Sequence, residues 1–378
     1  MEELLRRGVE LWIVPMYPRG APTHTEAGRL LKRTLSEPLL SWEIVKGTLK
    51  AFWRAPRRAS EALLLLITPR PRHLLKNLLV YPKGLWLGLL ALEYKVDHIH
   101  VHWAATTASM AMVASAISGI PWSITAHRWD IVENNLLRRK AERACFFRCI
   151  SEKTLEMARE RGVPLERALV LHMGVRLPGQ TSFEISPEKL PSRHDKFVVL
   201  CPASFIEVKG HRYLLEALRL LPPQIELWLA GEGELKPTIE RQVKDLGLRD
   251  QVRFLGFLPR DQLLALYQEG KVDLVVLPSV DLGAGLNEGI PVSLIEAMSC
   301  GIPVVSTATG GIPELLRGGA GVLVPPKDPY ALAEAIDTLY RGRIAAASLA
   351  EAGRARVEVE FNVEDVVERL LELWRRCV

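Results

Sequence analysis

Residues 278–315, PSVDLGAGLNEGIPVSLIEAMSCGIPVVSTATGGIPEL, decide how this chain folds. The segment opens on Pro278-Ser279, crosses a loop with Gly283 and Gly285, and enters an apolar helical stretch holding Ser293, Glu296 and Met298. Gly301-Ile302-Pro303 breaks that helix, residues 304–306 read as a short strand, and Gly310-Gly311-Ile312-Pro313-Glu314-Leu315 follows. The order is strand, flexible loop, helix, strand. Glycines let the backbone approach a ligand closely. The free N–H groups and positive dipole end of the helix suit a diphosphate. Glu288 falls in the loop before the helix and Glu296 one to two turns inside it. Carboxylates accept hydrogen bonds from hydroxyls, so this spaced pair suits a sugar at one end and a ribose at the other. The plain alternative for Glu296 is an exposed helix position. Its neighbours Ile295, Ala297 and Met298 argue against that, and a buried carboxylate needs a partner.

Outward from this segment, short apolar strands alternate with longer helical stretches, the pattern of parallel sheets covered on both faces. Strands are expected at residues 9–14, 97–103, 122–126, 144–150 and 169–172, then at 197–201, 225–230, 252–255, 274–277, 304–306 and 322–324. The intervening stretch, with Pro178, Gly179, Pro187 and Pro191, reads as a linker. The 378 residues exceed the roughly 100–200 of a single domain. The expected fold class is therefore α/β, with two doubly wound, Rossmann-like parallel-sheet domains facing each other across a cleft. Residues 1–180 would form the first domain, 181–195 the linker, 196–361 the second domain, and 362–378 a final helix returning to the first. Ligands of such sheets bind at the carboxyl ends of the strands. The chain opens inside a helix that closes at Gly8, so a first central strand is expected to be missing, as in a truncated reading frame.

Composition narrows the function classes. Residues 1–180 carry 27 Lys and Arg against 16 Asp and Glu, net +11, whereas residues 181–378 carry 22 against 28, net −6. A basic first half suits an acidic partner such as a membrane surface or a phosphorylated acceptor. No nucleic-acid recognition motif accompanies the charge, so no nucleic-acid partner is expected. The five cysteines form no Cys-x-x-Cys pair and no zinc spacing. Cys145 and Cys149 read as buried small hydrophobes, and the usage fits a reducing, cytoplasmic setting. No run reaches the roughly 20 apolar residues of a membrane span, and residues 104–120 read as a core helix. Residues 41–93 hold nine Lys and Arg against three Glu, interleaved with Trp42, Phe52, Trp53 and Trp86. This basic helical insert is either an ordinary solvated face or a surface for anionic headgroups, which would place the protein at the inner face of the plasma membrane.

Further residues carry chemistry. Lys209-Gly210, after a strand and before a helix, suits a phosphate, although a solvated surface lysine reads the same way. His127 ends a strand, with Asp130 three residues on to orient it or touch a second substrate. His98, His100 and His102 alternate along a strand and share one face, which is either a metal site or a hydrogen-bonded packing face. The chain lacks Asp-x-Asp, a P-loop, an early Gly-x-Gly-x-x-Gly and a Gly-x-Ser-x-Gly elbow.

Glu288-x7-Glu296, followed by Ala297-Met298, Gly301-Ile302-Pro303-Val304-Val305 and Gly310-Gly311-Ile312-Pro313-Glu314-Leu315, resembles the donor-site signature of family 4 retaining glycosyltransferases of the GT-B fold. The likeness extends over nearly the whole chain, through Phe254-Leu255-Gly256, His98–Ala104 and Ile124-Thr125-Ala126-His127. The sequence is most similar to the colanic-acid type that serves exopolysaccharide and lipopolysaccharide assembly. The resemblance implies transfer from a nucleoside-diphosphate sugar to a glycan or lipid-linked acceptor, with no cofactor and no metal. It implies that Glu288 holds sugar hydroxyls near the reacting face and that Glu296 binds the ribose. Backbone groups of Gly289, Ile290, Pro291, Val292 and Ser293 would meet sugar and diphosphate. Lys209 would neutralise the leaving phosphate, the Gly231 and Gly233 loop would approach the nucleotide, and His127 with Asp130 would face the acceptor side. One position departs from the pattern. The family carries Arg five residues before the phosphate lysine, and here that donor-site position is Ser204, which offers a hydrogen bond but no charge. His211 and Arg212 are the nearby substitutes. Ser204 also motivates a second reading, a weak or inactive relative that binds a partner. A third is a nucleotide-sugar epimerase on the same fold.

Overall fold

Two separate parallel sheets account for the strands of the computed structural model, which describes residues 1–17, 28–178, 196–283 and 285–378. The expected linker at 181–195 lies outside the described residues. One unit comprises Met1–His172 with Glu364–Val378, and the other Met173–Val363.

The first unit holds a four-stranded sheet in sequential order, β1 (Ile99–His102), β2 (Trp122–Ala126), β3 (Phe147–Cys149) and β4 (Ala168–Val170). His100 pairs with Ser123 and His102 with Thr125 across β1 and β2. The small residues of helix Thr106–Ser118 let helix Pro71–Glu93 pack hard against it. A Cβ on Gly84 would sit 2.7 Å from Val113 Cβ, and one on Gly88 would sit 1.9 Å from Ile117 Cγ2. The final helix, Val363–Arg375, is held by Arg7, whose Nη2 donates to Glu364 O at 2.9 Å, and by Trp374, whose Nε1 donates to His100 Nδ1 at 3.3 Å.

Two expectations need correcting here. Residues 9–14 form no strand. Only an isolated bridge, Ile13 with Thr34, occurs there. The apolar run is used otherwise: Trp12 stacks on Tyr94 at 4.6 Å, and Pro15, which has no N–H, ends the run. The carbonyls of Pro15 and Met16 accept from Lys83 Nζ at 2.6 and 3.1 Å, with Glu37 O a third acceptor at 2.6 Å. With no strand of 9–14 in it, the first sheet keeps its sequential order and has no reversal point. The other correction concerns cysteine. Cys149 is fully buried, but Cys145 is only partly so.

Lys83 is itself fully buried, and burial pushes its ammonium down to about 8. All three of its N–H donors are used, so removing it leaves three carbonyls without a partner. Lys83→Met is expected to cost about 2–4 kcal/mol of first-unit stability. Chemical denaturation of that variant, followed by hydrogen exchange in helix Pro71–Glu93, measures this.

The second unit holds six strands: β5 (Phe197–Pro202), β6 (Ile225–Ala230), β7 (Val252–Gly256), β8 (Leu274–Leu277), β9 (Val304–Thr307) and β10 (Val322–Val324). Their order is β10-β9-β8-β5-β6-β7. Every residue of β6 and β8 is buried, as strands covered on both faces require. The order reverses between β5 and β8, and ligands of a doubly wound sheet bind at such a reversal, outside the carboxyl ends.

Candidate functional site

The loops after β5 and β8 meet at that reversal. Val280 N donates to Val208 O at 2.9 Å. Gly210, at φ +64°, passes so close that a Cβ there would lie 2.1 Å from Pro278 O. This approach brings Lys209 to Glu288 across 79 residues of sequence, with Nζ donating to Oε2 at 2.5 Å. Ser279 Oγ donates to the same oxygen at 3.5 Å. The Glu288 backbone is gripped from the far side. Gly311 N donates to Glu288 O and Gly289 O at 3.3 and 3.2 Å, and Ile290 packs on Gly311. Behind the loop, Asp281 accepts from Gly283 N at 2.8 Å and from Asn287 Nδ2 at 2.9 Å.

Helix Val292–Ser299 follows at once. Pro291 is its N-cap, no side chain caps it, and its first N–H groups, those of Val292 and Ser293, point out of its end. Glu296 lies inside the helix, buried, and its carboxylate accepts from Arg260 Nε. That arginine answers the demand for a partner, and it is a site residue the sequence reading missed. It lies 36 positions away on helix Arg260–Gln268, and no motif links the two. Asn287 Oδ1 and Thr309 Oγ1 are buried beside this loop with no hydrogen-bond partner. Buried orphans of this kind are rare.

Gly231 and Gly233 come from the loop after β6. A Cβ on Gly231 would lie 2.1 Å from Ala203 O, and one on Gly233 would lie 2.5 Å from Phe205 O. They seat the β6 loop on the β5 loop, in which Ser204 is exposed. The two substitutes for the absent arginine diverge. His211 is buried and held neutral, pushed down to about 4 by burial and by the charge of Lys209. Arg212 lies over the Tyr213 ring, 5.2 Å from its centroid, and pairs with Glu216 at 3.7 Å. Neither brings a second cation to Lys209.

His127 and Asp130 belong to the first unit, at the carboxyl end of β2. His127 N donates to Asp130 Oδ2 at 2.9 Å. Burial pushes the His127 imidazole down to about 4, Arg148 adding to it, and pushes the Asp130 carboxyl up to about 6. Trp103 stacks on His127 with ring centroids 4.3 Å apart. It is the second residue missed. Its backbone is left-handed at φ +78°, a strained setting for a bulky side chain and a frequent mark of function. Its position just after β1 was the one available signal. The alternating histidines are a packing face. His98 Nε2 and His100 Nδ1 lie 2.7 and 2.8 Å from Ser123 Oγ, and His100 Nε2 lies 2.9 Å from Thr125 Oγ1. Among the described residues no cluster of His, Cys, Asp and Glu could hold a metal ion.

Residues 1–177 match the family described as Glycosyltransferase Family 4, and residues 182–356 match Glycosyl transferases group 1. The chain belongs to the family 4 glycosyltransferases. D-inositol 3-phosphate glycosyltransferase 1 of Catenulispora acidiphila is 30% identical over 319 residues, covering 76% of this chain and 73% of that protein. The amylovoran biosynthesis glycosyltransferase AmsK of Erwinia amylovora is 34% identical over 224 residues, 57% of this chain. The alignment takes in 52% of AmsK, so the chain spans about half the length of that relative. Among solved structures, Anabaena Alr3699/HepE in complex with UDP-glucose superposes with a TM-score of 0.61 and 25% identity, covering 77% of this chain and 81% of that one. The two parallel-sheet α/β units of this glycosyltransferase are those of the GT-B fold.

Gly310 gives this glycosyltransferase a sharp test. At φ +56°, a Cβ there would lie 1.7 Å from Glu288 O. Gly310→Ala must therefore displace the Glu288 backbone and with it the carboxylate paired to Lys209. Turnover is expected to fall on the order of 10²-fold, as an ångström of misplacement does in other sites. Initial-rate assays of the soluble variant measure the loss.

Proposed function

We propose that this chain moves a sugar from a nucleoside-diphosphate sugar to a glycan or lipid-linked acceptor, with retention at the anomeric carbon, in exopolysaccharide or lipopolysaccharide assembly on the cytoplasmic side. The single observation that supports this best is the Lys209–Glu288 pair at the reversal of the six-stranded sheet, beside the uncapped start of helix Val292–Ser299. The two side chains neutralise each other in this ion pair. In the donor complex, Lys209 turns to the diphosphate and Glu288 to the sugar hydroxyls. Lys209 and the helix N–H groups of Val292 and Ser293 take up the charge that develops as the glycosyl–phosphate bond breaks. The acceptor oxygen bonds to the anomeric carbon from the same face, and its proton passes to the departing phosphate oxygen. Glu296, kept in place by Arg260, receives the ribose hydroxyls. His127 is a neutral imidazole, suited to hydrogen-bond the sugar or acceptor. The proposal includes no metal and no cofactor.

A thermal-shift panel with UDP, GDP, ADP and CDP tests the donor site. One nucleotide at about 100 times its Kd is expected to stabilise the protein by about 2.7 kcal/mol. Glu296→Ala should abolish that shift, and chelator should leave it unchanged. The second reading, a binding protein without turnover, draws on exposed Ser204 and on Arg212 turned towards Glu216. Turnover of the bound donor would eliminate it. Release of an epimerised sugar nucleotide without acceptor would favour an epimerase.

A further inference from the structure

Helix Trp42–Arg54 has two apolar stripes where a surface helix needs one. Ile44, Gly47 and Ala51 form the first, which is buried. The second faces out. It consists of Trp42, Val45, Leu49, Phe52 and Trp53, with Trp42 66%, Leu49 65% and Trp53 83% exposed. At 3.6 residues per turn these five fall within about 100° of arc. Lys46, Lys50 and Arg54 are also exposed and run along one border of the stripe. The buried side of this helix packs on helix Pro71–Glu93. Trp86 packs on Gly47, Thr48 Oγ1 donates to Pro82 O at 3.4 Å, and the Phe52 and Tyr81 rings lie 6.5 Å apart. One to three turns back along the same helical row, Leu75, Leu78 and Leu79 are exposed. Contiguous exposed apolar surface with a polar rim marks an interaction site.

We propose that this face docks on an anionic lipid surface, its apolar stripe entering the headgroup boundary and its cations meeting lipid phosphates and carboxylates. Charge selects the occupant. Residues 41–93 hold nine Lys and Arg against three Glu, so an acidic surface complements them. A second copy of the chain would bring the same excess of cations to the seam, with no acidic counterpart on this face beyond the three Glu. Tryptophan at the stripe's margins suits the boundary, where one end of the ring system is apolar and the other is wet. No helix among the described residues is long and apolar enough to cross a membrane, so the contact is one of lying on the surface. The inference is independent of sugar transfer.

The test is co-sedimentation of the full chain with phosphatidylserine–phosphatidylcholine vesicles and with phosphatidylcholine vesicles alone, at low and high salt. Binding to the anionic vesicles, weakened by salt, is expected. Trp42→Ala with Trp53→Ala, and separately Lys46→Glu with Lys50→Glu, should each lower the partition coefficient at least about tenfold. All four positions are exposed, so circular dichroism and the nucleotide-induced thermal shift should stay unchanged. That readout separates failure of this inference from failure of the transfer reading. No binding by the wild type, or equal binding by both variants, would overturn it. Self-association lost in the tryptophan variant, without vesicle binding, would overturn it in favour of a second copy.

Discussion

Lys209→Ala is expected to slow sugar transfer by on the order of 10²–10³-fold, the usual loss when one group stabilising a developing negative charge is removed. The effect is large because neither nearby substitute among the described residues brings a second charge to Lys209. Ser204 carries no charge, His211 is held neutral by burial, and Arg212 is paired with Glu216. Lys209→Arg restores charge but not the compact ammonium, so partial recovery is expected. Glu288→Gln provides the complementary experiment. It releases Lys209 from its ion pair, so the nucleoside diphosphate should bind as tightly as before or more tightly. Transfer should nevertheless fall, because the amide accepts fewer hydrogen bonds from the sugar than the carboxylate. Initial rates and calorimetric titration of the same variants separate the two effects. Full activity in Lys209→Ala would remove the pair from the mechanism.

Acidification is expected to unfold the first unit before the second. Burial holds His98 and His127 at about 4 and His100 well below its ordinary value. Between about pH 6.5 and pH 4 the unfolded chain therefore binds more protons than the folded one. The contribution of these groups is complete above that window and is lost as pH falls through it. Asp130 works the other way. Its carboxyl is raised to about 6, so the folded state takes up that proton first and gains stability as pH falls. His73 and His102 are lowered by burial as well, so five depressed imidazoles stand against one raised carboxyl and the net effect of acid on the first unit is a loss of stability. Among the described residues of the second unit, His211 alone is in the same condition. Hydrogen exchange at about pH 7 and pH 4.5 should show β1 and β2 losing protection ahead of β5 and β6. His98→Gln with His100→Gln should flatten the dependence. Equal loss in both units would show that these imidazoles are not what sets acid stability.

Much of the C-terminal unit was legible because its signals are local. Each β5–β10 strand is a short apolar run, and the loop and helix from Glu288 to Glu296 carry their own breakers and N-terminus. A continuous apolar run at residues 9–14 looked the same as those strands. Only the folded chain shows Trp12 stacked on Tyr94, and Lys83 holding the carbonyls of Pro15 and Met16 just beyond the run. Likewise, helical spacing in Trp42–Arg54 shows apolar positions, but packing against Pro71–Glu93 decides which stripe is buried and which faces out.

The sequence by itself determined the alternation of strands and helices and singled out Glu288, Glu296 and Lys209, because each of these readings depends on neighbours a few residues away. Tertiary structure alone decided that Lys209 meets Glu288 and that Arg260 meets Glu296. Those partners are joined by strand order and by the close passage of glycine backbones, and neither leaves a periodic trace in one dimension.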